Sequence, residues 1–165
     1  MAPYTALAST AFSSKAFQRV PKRSYLIEGK MVQVPSSYTP REQSSDGVAK
    51  YEEFWDGTFK DELQYTDNPA WVFYDMMTNK RYGAGNWIQA QNIDKFALYR
   101  IAKYCDELVD DGNGSTEPRF GANLVLQKRT EVYKVAKDMA TMFLGILYWM
   151  DNKIVAVNDS PQDPV

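Results

Sequence analysis

The sequence predicts an α+β fold with a β-rich N-terminal segment, a two-helix middle and a C-terminal β-α-β-β unit. Runs of β-branched and aromatic residues lie near both ends, whereas three stretches between residues 69 and 143 are apolar in helical fashion. With 165 residues and 44% hydrophobic content, the chain can bury one sizeable core. We place the β-rich segment with its polar loop at residues 1–60, an α+β module at 61–158 and a linker at 159–165.

The N-terminal segment combines an irregular lead-in with one strand. Residues 1–20 are rich in Ala, Ser and Thr without a sustained period, which is typical of irregular structure. Residues 24–34 are β-prone, but their alternation is interrupted at Gly29, so we predict a strand with a bulge or bend there, closed by Pro35. Residues 36–50 are polar and are expected to form a surface loop.

A tight turn and a first helix follow. Asp56-Gly57 is a turn dipeptide between large aromatic residues, whose side chains we expect to pack. Asn68, or Asp67 beside it, offers a capping side chain before a helix predicted over residues 69–78, with proline at its first position. This helix is apolar on nearly every side, which favours burial in the core over a partner-binding face.

Glycines and a second apolar stripe define the rest of the middle. Gly83 and Gly85 are expected to end the first helix because glycine permits left-handed backbone. Apolar residues spaced by three and four then run from residue 93 to 108, with Asn92 as the predicted cap. Cys105 lies on this stripe and is interpreted as a core thiol.

The C-terminal third begins, after an acidic glycine-bearing loop, with a strand predicted over residues 119–126. A polar turn leads to a helical stripe over residues 132–143, with Thr130 as possible cap and Gly145 as the stop.

A β-hairpin is predicted at the end of this unit. Residues 146–150 and 153–157 are short apolar runs separated by Asp151-Asn152, a two-residue hairpin signal. Residues 159–165 contain two prolines and are expected to be a linker.

Composition argues against several classes of function. The chain has no histidine, which removes the commonest general base and metal ligand. A net charge of −2 offers no basic field for sequence-specific nucleic-acid binding. No apolar run approaches the ~20 residues of a membrane span, and the start lacks the order of a signal peptide. One cysteine excludes an internal disulfide and fits synthesis in a reducing cytoplasm.

A partial calcium-loop pattern is the strongest candidate for bound metal. Oxygen-bearing side chains alternate in the acidic loop, at Asp111, Asn113, Ser115 and Glu117. The sixth position is Thr116 rather than glycine, and the twelfth is Ala122 rather than a bidentate glutamate. We therefore favour a plain turn and predict no metal.

The remaining chemical candidates have simpler interpretations. Gly83-Ala84-Gly85 follows no strand, so helix termination explains it better than phosphate binding. Adjacent acids at 61–62 and 110–111 are expected to face water, and Cys105 has no histidine to activate it. We predict no catalytic residue and no cofactor.

Ten short motifs, in unbroken order, resemble the family of lambda-type bacteriophage tail tip attachment proteins J, also called host specificity proteins. They span nearly the whole chain and lie at residues 26–35, 55–60, 68–71, 75–78, 81–83, 93–99, 104–106, 111–112, 116–119 and 154–161. Members of that family are much longer, and the resemblance places these residues in the hub portion, which makes residues 61–158 a hub module and the chain an internal piece.

The resemblance implies a non-enzymatic, structural role at the virion tail tip. It implies a homotrimeric central hub, joined to other tail-tip proteins and the tape measure protein, that supports host attachment and DNA delivery. The alternatives are a tail-associated cell-wall hydrolase and a free-standing cellular protein-binding module. On the structural interpretation, four aromatic side chains are expected to be shared between core and subunit contacts: Trp55, Trp71, Trp87 and Trp149.

Overall fold

Within the part of the chain that the structure describes, three helices and three separate two-stranded antiparallel sheets make up the fold, which confirms the predicted α+β class. The computed structural model describes residues 9–13, 15, 19–20, 22–25, 29–125 and 131–160. In chain order the elements are β1 (Tyr38–Thr39), β2 (Lys50–Tyr51), α1 (Pro69–Thr78), α2 (Lys95–Asp106), β3 (Leu108–Asp110), β4 (Thr116–Pro118), α3 (Val132–Thr141), β5 (Gly145–Met150) and β6 (Lys153–Asn158). Two 3-10 turns cover Arg41–Gln43 and Ala90–Asn92.

The strand predicted over residues 24–34 is not a regular strand in residues 29–34. Val32 makes one antiparallel bridge to Gln64, and Pro35 makes another to Phe59. Residues 26–28, and most of the predicted lead-in, lie outside the described residues. The segment is held by pairing at isolated points with the chain before α1, so its β propensity does not produce a ladder.

The predicted surface loop at residues 36–50 was wrong in part. Tyr38 is 1% exposed and lies in β1, opposite Tyr51 in β2. Its hydroxyl is 3.0 Å from that of Thr66, so the buried phenol has a hydrogen-bond partner. The buried side chain of Tyr38 therefore anchors an otherwise polar segment to the core.

Helix α1 has the predicted boundaries and cap. The Asn68 side chain accepts a hydrogen bond from the backbone N–H of Ala70 at 3.0 Å, and proline occupies the first position. Trp71, Phe73 and Met77 are at most 1% exposed, so the helix is core, as favoured from its sequence.

The chain leaves α1 at the predicted glycines, but for a different reason. Neither Gly83 nor Gly85 has a positive φ. Their backbone packs against the last turn of α1, where a Cβ would lie 1.9 Å from the Met76 carbonyl oxygen and 2.0 Å from that of Thr78, respectively. Close backbone approach, rather than left-handed geometry, requires glycine here.

Helix α2 is capped by Asp94 and not by the predicted Asn92. The Asp94 carboxylate accepts from the backbone N–H groups of Phe96 and Ala97, at 3.1 and 3.0 Å. Asn92 instead ends a 3-10 turn, where its side chain accepts from Gln89. Cys105 is fully buried on the apolar face of α2, as predicted.

The strand predicted over residues 119–126 is absent from residues 119–125, and residue 126 lies outside the described part. The strands here are β3 and β4, a hairpin formed by the acidic loop itself. The Arg119 N–H donates to Glu107, Phe120 to Cys105, and Ala122 to Asp67. These carbonyl acceptors lie at the end of α2 and just before α1, so the segment runs along the helix ends and does not pair in a sheet. In the described residues the C-terminal unit is therefore α-β-β rather than β-α-β-β.

Helix α3 and the closing hairpin follow the prediction closely. The predicted cap Thr130 lies outside the described residues, and Glu131 at the N-cap position makes no side-chain capping bond. Leu144, at φ 53°, adopts the left-handed conformation after the helix, while Gly145 starts β5 instead of stopping α3. Asp151 and Asn152 have φ values of 49° and 61°, as a two-residue hairpin turn requires. The proposed domain limits and the linker stay predictions.

The core contains an aromatic cluster and a buried polar group beside it. Trp55 stacks on Tyr99 with ring centroids 4.8 Å apart, and Phe59 stacks on Tyr74 at 4.7 Å. Next to them the Tyr51 hydroxyl donates to the carboxylate of Asp106, 2.5 Å away. Burial raises the pKa of Asp106, although its hydrogen bonds oppose the shift.

Candidate interaction surface

The four tryptophans named from the sequence fall into two pairs. Trp71 and Trp55 are 0% and 6% exposed and belong to the core. Trp87 and Trp149 are 76% and 59% exposed, which is unusual for the largest apolar side chain. The second pair therefore marks a surface where apolar area is available to a partner.

Trp87 and Trp149 line the same apolar groove, which has a volume of about 480 Å³. We call it the tryptophan groove. It lies between the turn after α1, helix α3 and the β5–β6 hairpin, and its lining comprises Met77, Ala84, Trp87, Ile88, Val132, Tyr133, Ala136, Leu147, Tyr148, Trp149 and Ile154.

The turn after α1 holds Trp87 at the mouth of the groove. The Ala84 N–H donates to the Met76 carbonyl at 3.0 Å, which fixes this turn on the end of α1. The Ala84 carbonyl in turn accepts from Trp87 and Ile88, at 2.8 and 2.9 Å. The indole thus projects from a rigid backbone although the side chain itself is exposed.

Helix α3 and β5 supply the opposite side. Trp149 pairs with Ile154 across the hairpin, and both line the groove. Tyr133, which the sequence interpretation did not single out, is 69% exposed on the first turn of α3. The sequence feature that could have identified Tyr133 is its position beside, rather than on, the apolar stripe of an amphipathic helix.

The tryptophan groove has no charged side chain in its lining. Lys134 and Lys137 are exposed on α3, and the Lys137 ammonium lies 5.3 Å from the centre of the Tyr133 ring. A surface of this kind favours burial of apolar side chains, with tyrosine hydroxyls and lysines at its edge to orient a partner. Its lining includes no carboxylate, lysine, arginine or cysteine.

The β5–β6 hairpin is also apolar on its other face. Ile146, Met150 and Val157 are 73%, 51% and 49% exposed there. Tyr148 lies between Ile146 and Met150 on β5 and is 42% exposed, although it also lines the groove. A hairpin with one face in the core normally alternates apolar and polar residues, whereas residues 146–150 are apolar or aromatic without a break. Apolar area exposed on both faces is typical of a surface that another protein covers.

Of the calcium-loop candidates, Asp111, Asn113 and Ser115 lie at the tip of the β3–β4 hairpin, whereas Glu117 lies in β4. The Asp111 carboxylate accepts from the backbone N–H groups of Asn113 and Ser115, at 2.7 and 3.0 Å, and these bonds lower the pKa of Asp111. Gly112 and Gly114 have positive φ. Asp111 thus closes a turn with its side chain, and in the described ranges no three His, Cys, Asp or Glu residues are grouped as metal ligands would be.

The other chemical candidates are equally structural. Gly83 and Gly85 face carbonyl oxygens of α1, which do not attract a phosphate. Asp61 and Glu62 are exposed. Burial raises the pKa of the Cys105 thiol to about 12, which disfavours the nucleophilic thiolate. None of the helices in the described part has the length and hydropathy of a membrane span.

The relatives of this chain include two much longer proteins. The chain is 40% identical over 159 residues to the tip attachment protein J of Escherichia phage SECphi4, and 38% identical over 163 residues to that of Escherichia phage SECphi27. The matches cover 96% and 98% of this chain but about 13% of either relative. No known family profile matches the chain. The resemblance noted from the sequence motifs is confirmed.

Proposed function

We propose, on the premise that this chain is a relative of one segment of phage tip attachment proteins J, that it is a structural building block of a bacteriophage tail tip. The similarity covers 96% of the chain, so nearly all of the fold described above falls within the matched segment. The whole-protein role, supporting host attachment and DNA delivery from the virion tail tip, is proposed with it. We also propose its partners, which are further copies in a homotrimeric hub, other tail-tip proteins and the tape measure protein.

The tryptophan groove is the observation that carries an assembly role. Trp87 and Trp149 expose large apolar side chains on rigid backbone around an uncharged concavity. Tryptophans in such settings are common anchors of protein–protein contacts, because each buries much apolar area at little cost in conformational entropy. The surface is thus suited to another protein rather than to a reacting small molecule.

A non-enzymatic role fits the arrangement of ionisable groups. Asp106, the buried acid nearest the core aromatics, is bound by Tyr51 and is 9% exposed. A cell-wall glycosidase typically uses two carboxyl groups on either side of a substrate cleft, about 5–10 Å apart. The carboxylates of Asp61 and Glu62 lie on an exposed loop instead and do not line the tryptophan groove.

A chimeric phage tests the proposal. The matched segment of the SECphi4 tip attachment protein is replaced by this chain, and plaque titre and tail morphology are measured. We expect assembled tails from the unchanged chimera. Titre should fall at least 100-fold when Trp87→Lys and Trp149→Lys are combined, because charges in the groove would have to be buried on assembly.

Phe54→Lys is the matched control. Phe54 is 78% exposed but does not line the groove, so this chimera should retain its titre. Equal titres for the groove and control variants would contradict the assembly role of the groove. Clearing of peptidoglycan in a zymogram of the purified chain would contradict the non-enzymatic role.

A further inference from the structure

The outer edge of β5 carries backbone groups that have no partner within the described ranges. Met150 and Lys153 flank the two-residue turn, so they form a hydrogen-bonded pair. Hydrogen-bonded pairs alternate along the ladder, so Tyr148 and Val155 form the next one. By alternation, Leu147 and Trp149 direct their N–H and C=O groups away from β6. The hydrogen bonding of β6 is consistent with this alternation. The carbonyl of Ile154, the residue opposite Trp149, accepts from the backbone N–H of Asp94, which lies outside the hairpin, at 3.0 Å.

Nothing in β5 blocks another strand from this edge. Natural edge strands are protected by lysine, proline, a bulge or a covering element. The sequence of β5, Gly145–Met150, contains no charged residue and no proline, and its six pairs with β6 run without a bulge. The sheet ends at β5 in the described residues.

We propose that the edge of β5 receives an extended, uncharged strand from elsewhere in the longer tail-tip polypeptide, with apolar side chains on both of its faces. The two apolar faces of the hairpin dictate that composition. On one face the added side chains would lie beside Leu147 and Trp149 at the tryptophan groove; on the other they would continue the row of Ile146 and Tyr148.

The length of the relatives argues for this source. The matched segment is about 13% of either relative, so most of the polypeptide lies outside it. A strand tethered in the same polypeptide binds at an effective concentration of about millimolar, which compensates for the few hydrogen bonds that one strand can make. The inference rests on the proposed function and adds the chemistry of the partner.

Amide hydrogen exchange of the 165-residue chain tests it, with a synthetic peptide of six alternating valine and tyrosine residues flanked by two lysines at each end. The peptide should slow exchange of the Leu147 and Trp149 amides at least about tenfold, because they gain hydrogen bonds. Tyr148 is the internal reference, since its N–H is already bonded to β6. A control peptide with proline at the third and fourth of its six strand positions lacks an N–H on each edge and should have no effect.

Substitution at the edge supplies the second arm. Trp149→Pro removes an outward N–H without breaking a bond to β6 and should abolish protection of Leu147 by the peptide. If the Tyr148 amide loses its protection in Trp149→Pro, that variant disturbs the hairpin. Trp149→Lys, which keeps the N–H but adds charge, then takes its place. Phe54→Lys should bind the peptide unchanged.

Three outcomes would overturn the inference. One is unchanged exchange at Leu147 and Trp149 at saturating peptide, and another is equal protection by the control peptide. The third is protection that grows with chain concentration in the absence of peptide, which would assign the edge to a second copy. The chimeric phage reports on assembly and hydrogen exchange reports on the edge of β5, so failure of this inference can be distinguished from failure of the proposed function.

Discussion

The side-chain amide of Asn68 donates a hydrogen bond to the backbone carbonyl of Ala102, 3.0 Å away, while its oxygen caps α1. One fully buried side chain therefore closes the start of α1 and joins it to α2. We expect Asn68→Ala to lower the free energy of unfolding by about 2–4 kcal/mol, since it removes a cap and leaves a buried carbonyl without its donor. Urea unfolding followed by circular dichroism measures this.

Asn68→Asp keeps the capping oxygen but loses the amide donor to Ala102. It also places a second carboxylate beside the buried Asp106, so it should destabilise the fold at least as much as Asn68→Ala. A loss under about 0.5 kcal/mol for Asn68→Ala would show that the double role contributes little.

Gly85→Ala should destabilise the fold by at least about 2 kcal/mol, because the new Cβ would lie 2.0 Å from the Thr78 carbonyl oxygen. Gly29→Ala is the control: its Cβ would meet Tyr65 at an ordinary 3.6 Å. Thermal unfolding of both variants checks the difference. Equal melting temperatures would mean that the turn after α1 relaxes freely.

Asp106→Asn should increase stability at neutral pH. Burial raises the pKa of Asp106, even though the hydroxyl of Tyr51 donates to it and Asn68 and Tyr38 oppose the shift. A raised pKa means that the folded state binds the proton more tightly, so stability is lost as pH rises from the ordinary value of Asp through the folded one. The asparagine amide stays neutral and still accepts from Tyr51.

The gain from Asp106→Asn should therefore shrink as pH falls toward the ordinary range of Asp. Urea unfolding at several pH values, with exposed Asp61→Asn as the control, measures it. A gain that is constant with pH, or no gain, would show that the ionised carboxylate is not costly in the folded protein.

Cys105 should resist alkylation in the folded chain. It is fully buried, and burial raises its pKa to about 12, so little thiolate exists at pH 8. Iodoacetamide, followed by mass spectrometry, should label it at least about 100-fold faster in 6 M urea than in buffer. Comparable rates in the two solvents would contradict the packing of α2.

Fluorescence distinguishes the two tryptophan pairs. Trp87 and Trp149 are exposed and should supply the emission that acrylamide quenches, whereas Trp55 and Trp71 lie in the core. Combining Trp87→Phe with Trp149→Phe should therefore shift the emission to shorter wavelength and remove most quenching. Strong quenching that persists would place the core pair at the surface.

Local signals explain which elements were predictable from the sequence. The bounds of α1 were predicted to the residue, because a cap, a first-turn proline and a continuous apolar run all lie within residues 68–78. The β5–β6 hairpin was predicted because Asp151-Asn152 separates two apolar runs. Both rest on interactions between near neighbours.

The failures involve distant partners. Residues 119–125 have the composition of a strand, yet their amides bond to Glu107, Cys105 and Asp67, which no local pattern indicates. Likewise, Trp87 and Trp149 were named as contact candidates from residue type alone. Their meeting in one groove depends on how α3 and the hairpin pack beside the turn after α1, so it could not be read from the sequence.

The β3–β4 hairpin joins strands that are neighbours in sequence. At its tip, a Cβ added to Gly112 or Gly114 would find no atom of the described residues within 4 Å. Loop length there costs only a slowly growing closure entropy. An affinity epitope or fluorescent label can therefore be inserted between these glycines without disturbing α1, α2 or the tryptophan groove, which provides a handle for locating the chain in a whole particle.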